Sequence, residues 1–176
     1  MKGENTVRLF DNPLEMIKTV ERDVYEMSFD IDNNKKELLN YGFTINDWNT
    51  VTLNNMSDYF YNRFNIFKKN FIKYVSKNSP VIFETIKQLS LNEKHVLSYL
   101  SDYISFNVRN NKLYELCIIP ECDFFKEFCE KIFINICLYD KISNTNRYNL
   151  GYIIFIIPSL YSLKKDLNNK ERNYLK

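Results

Sequence analysis

The side chains that could carry chemistry are few in this 176-residue sequence, and histidine is the scarcest of them. His95 is the only histidine, and imidazole is the side chain whose ordinary pKa lies closest to neutrality. No serine, cysteine or aspartate stands at a spacing from His95 that suggests a catalytic triad. We therefore expect His95 to have no catalytic role, and we keep it only as a candidate for binding an anion.

The four cysteines are the next candidates, at Cys117, Cys122, Cys129 and Cys137. The spacing of the last three places them on one face of a helix, and one face cannot surround a metal ion tetrahedrally. We expect buried, reduced thiols and no metal site. The three glycines lie too far apart to form a phosphate-binding loop. Together these features predict a protein that is not an enzyme.

Charge and hydropathy argue against several classes of partner. The 24 basic and 22 acidic residues are spread along the chain without a basic stripe, so we expect no nucleic-acid binding. The apolar run 150–163 is shorter than the roughly twenty residues that span a bilayer, so we expect no membrane span. The chain does not begin with an apolar signal segment, which predicts a cytoplasmic location where thiols stay reduced.

Apolar residues at spacings of three and four predict helices along most of the chain. Capping signals support several of them: Asn12-Pro13 precedes a helix that ends near residue 29, and Ser79-Pro80 precedes another at 81–89. Thr44 with Asp47, and Ser90 with Glu93, resemble capping boxes before two more. The other predicted helices are 35–41, closed by a left-handed cap at Gly42, then 52–76, 90–104, 120–139 and 147–167, the last with a kink at Pro158.

The helices predict one all-α domain that covers residues 1–176 and contains six to eight helices. We expect 1–11 and 168–176 to be frayed at its ends. The stretch 107–119 remains open, since Asn110-Asn111 suggests a turn and the following residues could form either a helical turn or an extended segment.

The longest predicted helix carries an aromatic stripe that could be ordinary core or the wall of an elongated pocket for an acyl chain. If it is a pocket, the candidate apolar residues are Phe60, Phe64, Phe67, Phe71, Leu100, Tyr103, Phe128, Ile132 and Phe155. Arg63, Lys68 and His95 are the candidates for binding a carboxylate at its mouth.

The order and lengths of these helices resemble those of globin-like sensor domains. Residues 56–64 are similar to the Phe-Tyr-containing second helix of globin-coupled sensors, and 124–139 and 148–167 are similar to the last two helices of that fold. The segment 12–15, Asn-Pro-Leu-Glu, is similar to Bacillus proteins of this class. The resemblance implies the haem-free branch, because the helix before Phe124 has no histidine to serve as a proximal ligand.

In that branch, stand-alone sensor domains related to sporulation kinases bind a fatty acid and inhibit sporulation. The resemblance therefore implies a non-enzymatic sensor that binds an apolar ligand, contains no haem and restrains a signalling-kinase pathway. It also implies a homodimer through the last two helices, and residues 152–157 fit this because they show no polar side. The alternative is a viral Bcl-2-like bundle that binds partner helices in a surface groove.

Overall fold

The structure is a computed structural model that describes residues 8–46, 48–49, 52–53, 61–91, 95–99 and 102–168, with the side chains of 61–62, 95, 97–99 and 168 outside this description. The strands are β1 Arg8–Phe10, β2 Phe29–Asp30, β3 Lys35–Asn46, β4 His95–Tyr99, β5 Tyr103–Arg109, β6 Lys112–Ile118, β7 Glu121–Asp123 and β8 Asn149–Leu163. The helices are α1 Pro13–Met27, α2 Tyr61–Lys77, α3 Ser79–Ser90, α4 Cys129–Asn146, preceded by a π-helical turn Phe124–Phe128, and α5 Lys164–Asn168.

In the described part of the chain, eight strands form one mixed sheet with the order β1-β3-β8-β6-β5-β4. Strand β2 adds to β3 and strand β7 adds to β8. Strand β8 runs antiparallel to β3 and parallel to both β6 and β7, so it is the central strand of the sheet. The protein is therefore mixed α/β, and the prediction of an all-α globin-like bundle of six to eight helices is wrong.

Three of the predicted helices are strands. The segment 35–41 belongs to β3, 90–104 contains β4 and the start of β5, and 147–167 is mostly β8. In β8 burial alternates from residue to residue: Ile153, Phe155 and Ile157 are fully buried, and the isoleucines between them are half-buried. A burial period of two residues is typical of a strand that has helices on one face. Apolar residues occupy both faces of β8, so the period could not be recognised from the sequence.

The proline predicted to kink a helix lies inside β8. The pairing between β3 and β8 is interrupted where Pro158 faces Asn40, whose φ of 53° is left-handed. On its other side, β8 changes partner from β6, which ends opposite Ile156, to β7, which begins opposite Ser159. A proline has no backbone N–H to donate, and Pro158 occupies a position where no neighbouring strand needs an N–H donor for pairing.

Several local predictions are confirmed. Asn12 caps α1 by accepting hydrogen bonds from the backbone N–H groups of Leu14 and Glu15, with Pro13 in the first turn. The open stretch 107–119 is a hairpin, and its turn at Asn110-Asn111 has the positive φ values of 50° and 57° that tight hairpins require.

Helix α4 is buried against the inner face of the sheet and is fixed to it by Tyr139. The Tyr139 hydroxyl donates to the Leu113 carbonyl at 2.6 Å and accepts from the Gly151 N–H at 2.7 Å, so one side chain joins β6 and β8 to the helix. Aromatic contacts between Phe133 and both Phe64 and Phe67 then hold α2 on the outer side of α4. None of the described helices has the length and apolar character needed to cross a membrane.

Candidate functional site: a cleft beside Asp102

Among the described residues, a polar cleft of about 250 Å³ lies between the start of β5, helix α2 and the beginning of α4. Asp102 lies immediately before β5, while Lys131 and Asn135 lie one turn apart on α4 and therefore share a face. The full lining is Tyr74, Asp102, Glu127, Glu130, Lys131, Ile134 and Asn135. Three carboxyl groups and one ammonium group thus surround a space large enough for a small molecule.

Asp102 is buried and held by two side chains of α4. Its Oδ2 accepts a hydrogen bond from Asn135 Nδ2 at 3.4 Å, and its Oδ1 lies 3.8 Å from Lys131 Nζ without accepting a hydrogen bond. The Lys131 ammonium also lies 3.9 Å from Glu127 and donates to the Glu121 carbonyl. Lys131 is partly exposed, so a flexible cation lies beside a buried carboxyl group.

Burial raises the pKa of the Asp102 carboxyl above its usual value. The positive charge of Lys131 and the hydrogen bond from Asn135 act in the opposite direction, and the negative charge of Glu127 adds to the rise. A raised pKa brings a carboxyl group closer to the range in which general acids and bases work best.

The orientation of the Asn135 amide is fixed by its partners. Its Nδ2 donates to Asp102 and, at 2.9 Å, to the Lys131 carbonyl, and both of these partners are acceptors. The amide nitrogen must therefore face them, which leaves Oδ1 as an acceptor. That Oδ1 is buried and accepts no hydrogen bond from the part of the chain that the structure describes.

A second acid, Glu115, lies on the inner face of β6 between Leu113 and Cys117. It is 2% exposed, and neither of its carboxyl oxygens has a hydrogen-bond partner among the described residues. Burial raises the pKa of Glu115 well above its usual value, and the negative charge of Asp102 raises it further. Burial therefore favours the neutral, protonated form of Glu115, which is electrically coupled to Asp102 at the cleft.

The cysteine thiols are poorly suited to nucleophilic chemistry. Burial raises the pKa of Cys122, Cys129 and Cys137 to about 12, and it raises that of Cys117 well above the usual value. Because the thiolate is the reactive form, only a very small fraction of each thiol is reactive at neutral pH. Among the described residues, no cluster of three or more potential ligands could hold a metal ion.

The structure divides the apolar residues that the sequence grouped into one pocket. Phe64, Phe67 and Ile132 are buried between α2 and α4, and Phe71 packs partly buried at the edge of the same core. The cavity lined by Phe67 and Ile132 measures only about 20 Å³, which is room for one water molecule.

The remaining apolar candidates lie elsewhere. Phe128 and Phe155 pack around the ring of Phe43 on the inner face of the sheet, with ring centroids 6.0 and 5.1 Å from it. Tyr103 is 53% exposed. Phe60 and Leu100 are outside the described residues. The ligand-binding assignment of all these residues stays a prediction.

The three anion candidates are not brought together by any described contact. Arg63 donates to the carbonyls of Phe125 and Lys126 at 3.4 Å, where the π-helical turn leaves them available. The Lys68 ammonium lies over the ring of Phe64, 4.4 Å from its centroid. The backbone of His95 begins β4, but its side chain is outside the described part of the structure.

Sequence reasoning missed Asp102, Glu115 and Asn135. One signal was available, because Leu113, Glu115 and Cys117 alternate at period two, so assigning this stretch as a strand would have turned a glutamate toward the core. No comparable signal marks Asp102 or Asn135, which meet only through the packing of α4 on the sheet.

Comparisons with known proteins bear on the fold. No family model matches the chain, and no curated protein sequence matches it. Among solved structures, the chain is similar to a thermostable thymidylate synthase A from Bacillus subtilis, with a TM-score of 0.64 and 11% sequence identity over 92% of this chain and 84% of that one. A thymidylate synthase from T4 phage aligns over 52% of this chain and 36% of its own, at 20% identity and a TM-score of 0.43, which adds nothing to the assignment.

The fold is therefore of the thymidylate synthase type, and this corrects the functional predictions from sequence. A mixed α/β fold shared with an enzyme overturns the haem-free globin-like sensor, its fatty-acid and sporulation role, and the Bcl-2-like alternative. The prediction that the protein is not an enzyme is wrong for the same reason.

Proposed function

We propose that the protein is an enzyme that binds a small polar molecule in the Asp102 cleft and transfers a proton through the Asp102 carboxyl group. One observation carries the proposal: a buried carboxyl group with a raised pKa lines an open cleft, 3.8 Å from an ammonium group. Strongly perturbed acids in clefts are concentrated at functional sites. The similarity to an enzyme fold supports the proposal without identifying the reaction.

Each neighbour of Asp102 has a role in this proposal. In its ionised form, Asp102 would take a proton from the substrate onto a carboxylate oxygen, and in its neutral form it would return one. Asn135 holds the Asp102 carboxyl group in place by donating a hydrogen bond to its Oδ2. The ammonium group of Lys131 would stabilise negative charge that develops on the substrate as its proton leaves.

The charge of the cleft restricts the substrate. Asp102, Glu127 and Glu130 outnumber Lys131, so the lining favours an uncharged or cationic group. The solved neighbour is named for thymidylate, which carries an anionic phosphate. An anion of this kind would meet repulsion in the cleft, and we therefore propose a substrate that carries no phosphate group.

A probe reaction tests the proton transfer directly. In 5-nitrobenzisoxazole, a base removes the ring C–H proton while the N–O bond breaks, which gives a coloured cyanophenolate. We expect the wild-type protein to accelerate this reaction, with a rate that rises with pH as Asp102 ionises. Replacing Asp102→Asn should reduce the acceleration by about 10²-fold or more.

The matched control is Asp11→Asn, since Asp11 is an exposed aspartate before α1. This variant should keep the full rate. If Asp102→Asn folds and retains the acceleration, the proposed function is wrong, because the proton is then removed by another group. Circular dichroism of each variant establishes that the fold is intact.

We also propose that the protein forms a homodimer through the outer face of its sheet. Leu116, Ile118, Ile154 and Ile156 lie side by side there in paired strands and are only half-buried. Sedimentation velocity at micromolar concentration should show a dimer that Ile156→Glu converts to a monomer.

We propose in addition that the protein is located in the reducing cytoplasm. The free state of its four thiols supports this location.

A further inference from the structure

The outer face of helix α2 carries a positive charge that the nearly balanced charge of the whole chain conceals. Residues 61–83 contain five basic residues and no acidic one, although the chain has 22 acidic residues in total. Lys69, Lys73 and Lys77 are exposed, and they follow one another at intervals of one helical turn along α2. None of the three forms a salt bridge with a described residue. Their charges are therefore available to an anionic partner.

Two large aliphatic side chains lie among these lysines. Ile72 is 68% exposed and Ile66 is 52% exposed, and they stand three residues after and three residues before Lys69. The inward side of α2 is held separately, because Phe64 and Phe67 are buried against α4. The two isoleucines thus take no part in attaching α2 to the core, and they leave apolar surface in water beside the positive charges.

We propose that this basic face, formed by Ile66, Lys69, Ile72, Lys73 and Lys77, docks on the surface of a lipid bilayer that carries anionic headgroups. The helix would lie parallel to the bilayer, with the isoleucines inserted among the headgroups and the ammonium groups beside the phosphates. Lysine suits this position because its aliphatic stem can lie along apolar material while its ammonium group stays in the polar layer. The inference goes beyond the proposed function, since it concerns a different surface.

The side chains around the lysines favour a membrane over a nucleic acid. Proteins that bind single strands stack aromatic rings on the bases, and proteins that read duplexes use arginine and polar side chains on base edges. Among the described side chains of α2, those that are exposed include no aromatic ring and no arginine. Isoleucine can neither stack on a base nor form a hydrogen bond to one, but its transfer from water to hydrocarbon is favourable.

The basic face is separate from the Asp102 cleft. Tyr74 lines the cleft, and Asn70 donates to Glu130 at 2.8 Å beside it, so the cleft meets a different side of α2. Docking on a bilayer would therefore leave the cleft open. Removing the lysines of the basic face should not change proton transfer through Asp102, so the two proposals can be tested independently.

Co-sedimentation with lipid vesicles tests the inference at about 0.1 M KCl, where charges interact over about 10 Å. The vesicles contain either phosphatidylcholine alone or equal parts of phosphatidylcholine and phosphatidylglycerol. We expect the wild-type protein to prefer the anionic vesicles by about 100-fold, because each of three lysines contributes about fivefold near an anionic surface. Replacing Lys69, Lys73 and Lys77 together by glutamine should reduce the preference to about threefold or less.

The matched control removes the same net charge from other parts of the surface. Lys18→Gln, Lys112→Gln and Lys141→Gln together change three exposed lysines in α1, β6 and α4, and this variant should keep the preference. Ile72→Ser leaves the charge unchanged and should weaken binding to the anionic vesicles by about tenfold. Circular dichroism establishes that each variant is folded.

Two measurements do not require the triple lysine variant to fold. Raising KCl to about 1 M, where charges interact over only about 3 Å, should remove most of the preference of the wild-type protein. In Ile72→Trp, tryptophan emission should shift to shorter wavelength when anionic vesicles are added, because the indole ring enters the interface. Trp48 is 2% exposed and should contribute little to this change.

Three results would overturn the inference: no binding of the wild-type protein to either vesicle, equal binding to both, or an unchanged preference in the folded triple lysine variant. A labelled DNA oligonucleotide serves as the competing probe in fluorescence anisotropy. If it binds the wild-type protein but not the triple lysine variant, and the anionic vesicles do not bind, the basic face belongs to a nucleic acid and membrane docking is wrong.

Discussion

Glu115 allows the sharpest test of the physical argument, because it is a buried acid and neither of its oxygens has a hydrogen-bond partner within the described ranges. An unsatisfied buried polar group costs about 1–3 kcal/mol. Leucine is similar in volume to glutamate and has no polar atoms, and the neighbouring inward positions on β6 hold Leu113 and Cys117. We therefore expect Glu115→Leu to raise the free energy of unfolding at pH 7 by about 1–3 kcal/mol. The melting temperature should rise by about 2–4 °C for each kcal/mol.

The pH dependence gives an independent measure of the same carboxyl group. Its pKa is raised in the folded state, so the folded protein keeps a proton that the unfolded chain releases above about pH 4.3. The stability associated with the neutral Glu115 is complete below that pH and is lost as the pH rises toward the folded pKa. Asp102, whose pKa is also raised, acts in the same direction. Wild-type stability should thus fall from mildly acidic to alkaline pH.

Urea unfolding followed by circular dichroism at pH 5, 7 and 9 measures both effects. Glu115→Gln is always uncharged, so its stability should depend less on pH than that of the wild type. Glu26→Gln, on the exposed side of α1, is the matched control and should follow the wild type at each pH. The argument fails if Glu115→Leu is less stable than the wild type while Glu115→Gln keeps the full pH dependence, because Glu115 would then have a favourable partner in the folded state.

Three other changes test the contacts that position the site. Tyr139→Phe leaves the Leu113 carbonyl and the Gly151 N–H without their shared hydroxyl, and should lower the free energy of unfolding by about 1–3 kcal/mol in urea titrations. Gly151→Ala would place its Cβ 2.5 Å from the Leu113 carbonyl oxygen, so we expect a loss of about 1–3 kcal/mol and a lower melting temperature. Asn12→Ala removes the cap of α1 and should cost about 1 kcal/mol, with Asn12→Asp restoring most of it.

The parts of the fold that could be predicted from sequence are the ones that local interactions determine. Helix α1 combined an apolar period with a cap and a first-turn proline, and its start was predicted correctly. The turn at Asn110-Asn111 could likewise be predicted from the sequence, since few residue types tolerate two successive positive φ angles. In both cases the stabilising contacts lie within a few residues along the chain.

The strands could not be predicted in the same way, because their pairing is distant in sequence. The β8 strand pairs with β3 through contacts such as Phe155 with Phe43, more than a hundred residues apart. Its run of isoleucine and phenylalanine has no polar side, and such a run fits a buried helix as well as a central strand. The proline within it then suggested a kinked helix, whereas it lies where β8 changes partner from β6 to β7.

The candidate site depends on this long-range organisation even more than the fold does. Asp102 precedes β5, Glu115 lies in β6 and Asn135 lies in α4, and no local spacing relates them. Once the strand period of two has been assigned, a polar residue at an inward position still indicates a candidate functional site. The reason is that burying an unpaired acid costs free energy, so its presence calls for an explanation. For Glu115, loss of function combined with a gain in stability on substitution by leucine would mean that the acid serves the cleft. A gain in stability with unchanged proton transfer would instead restrict the site to Asp102, Lys131 and Asn135.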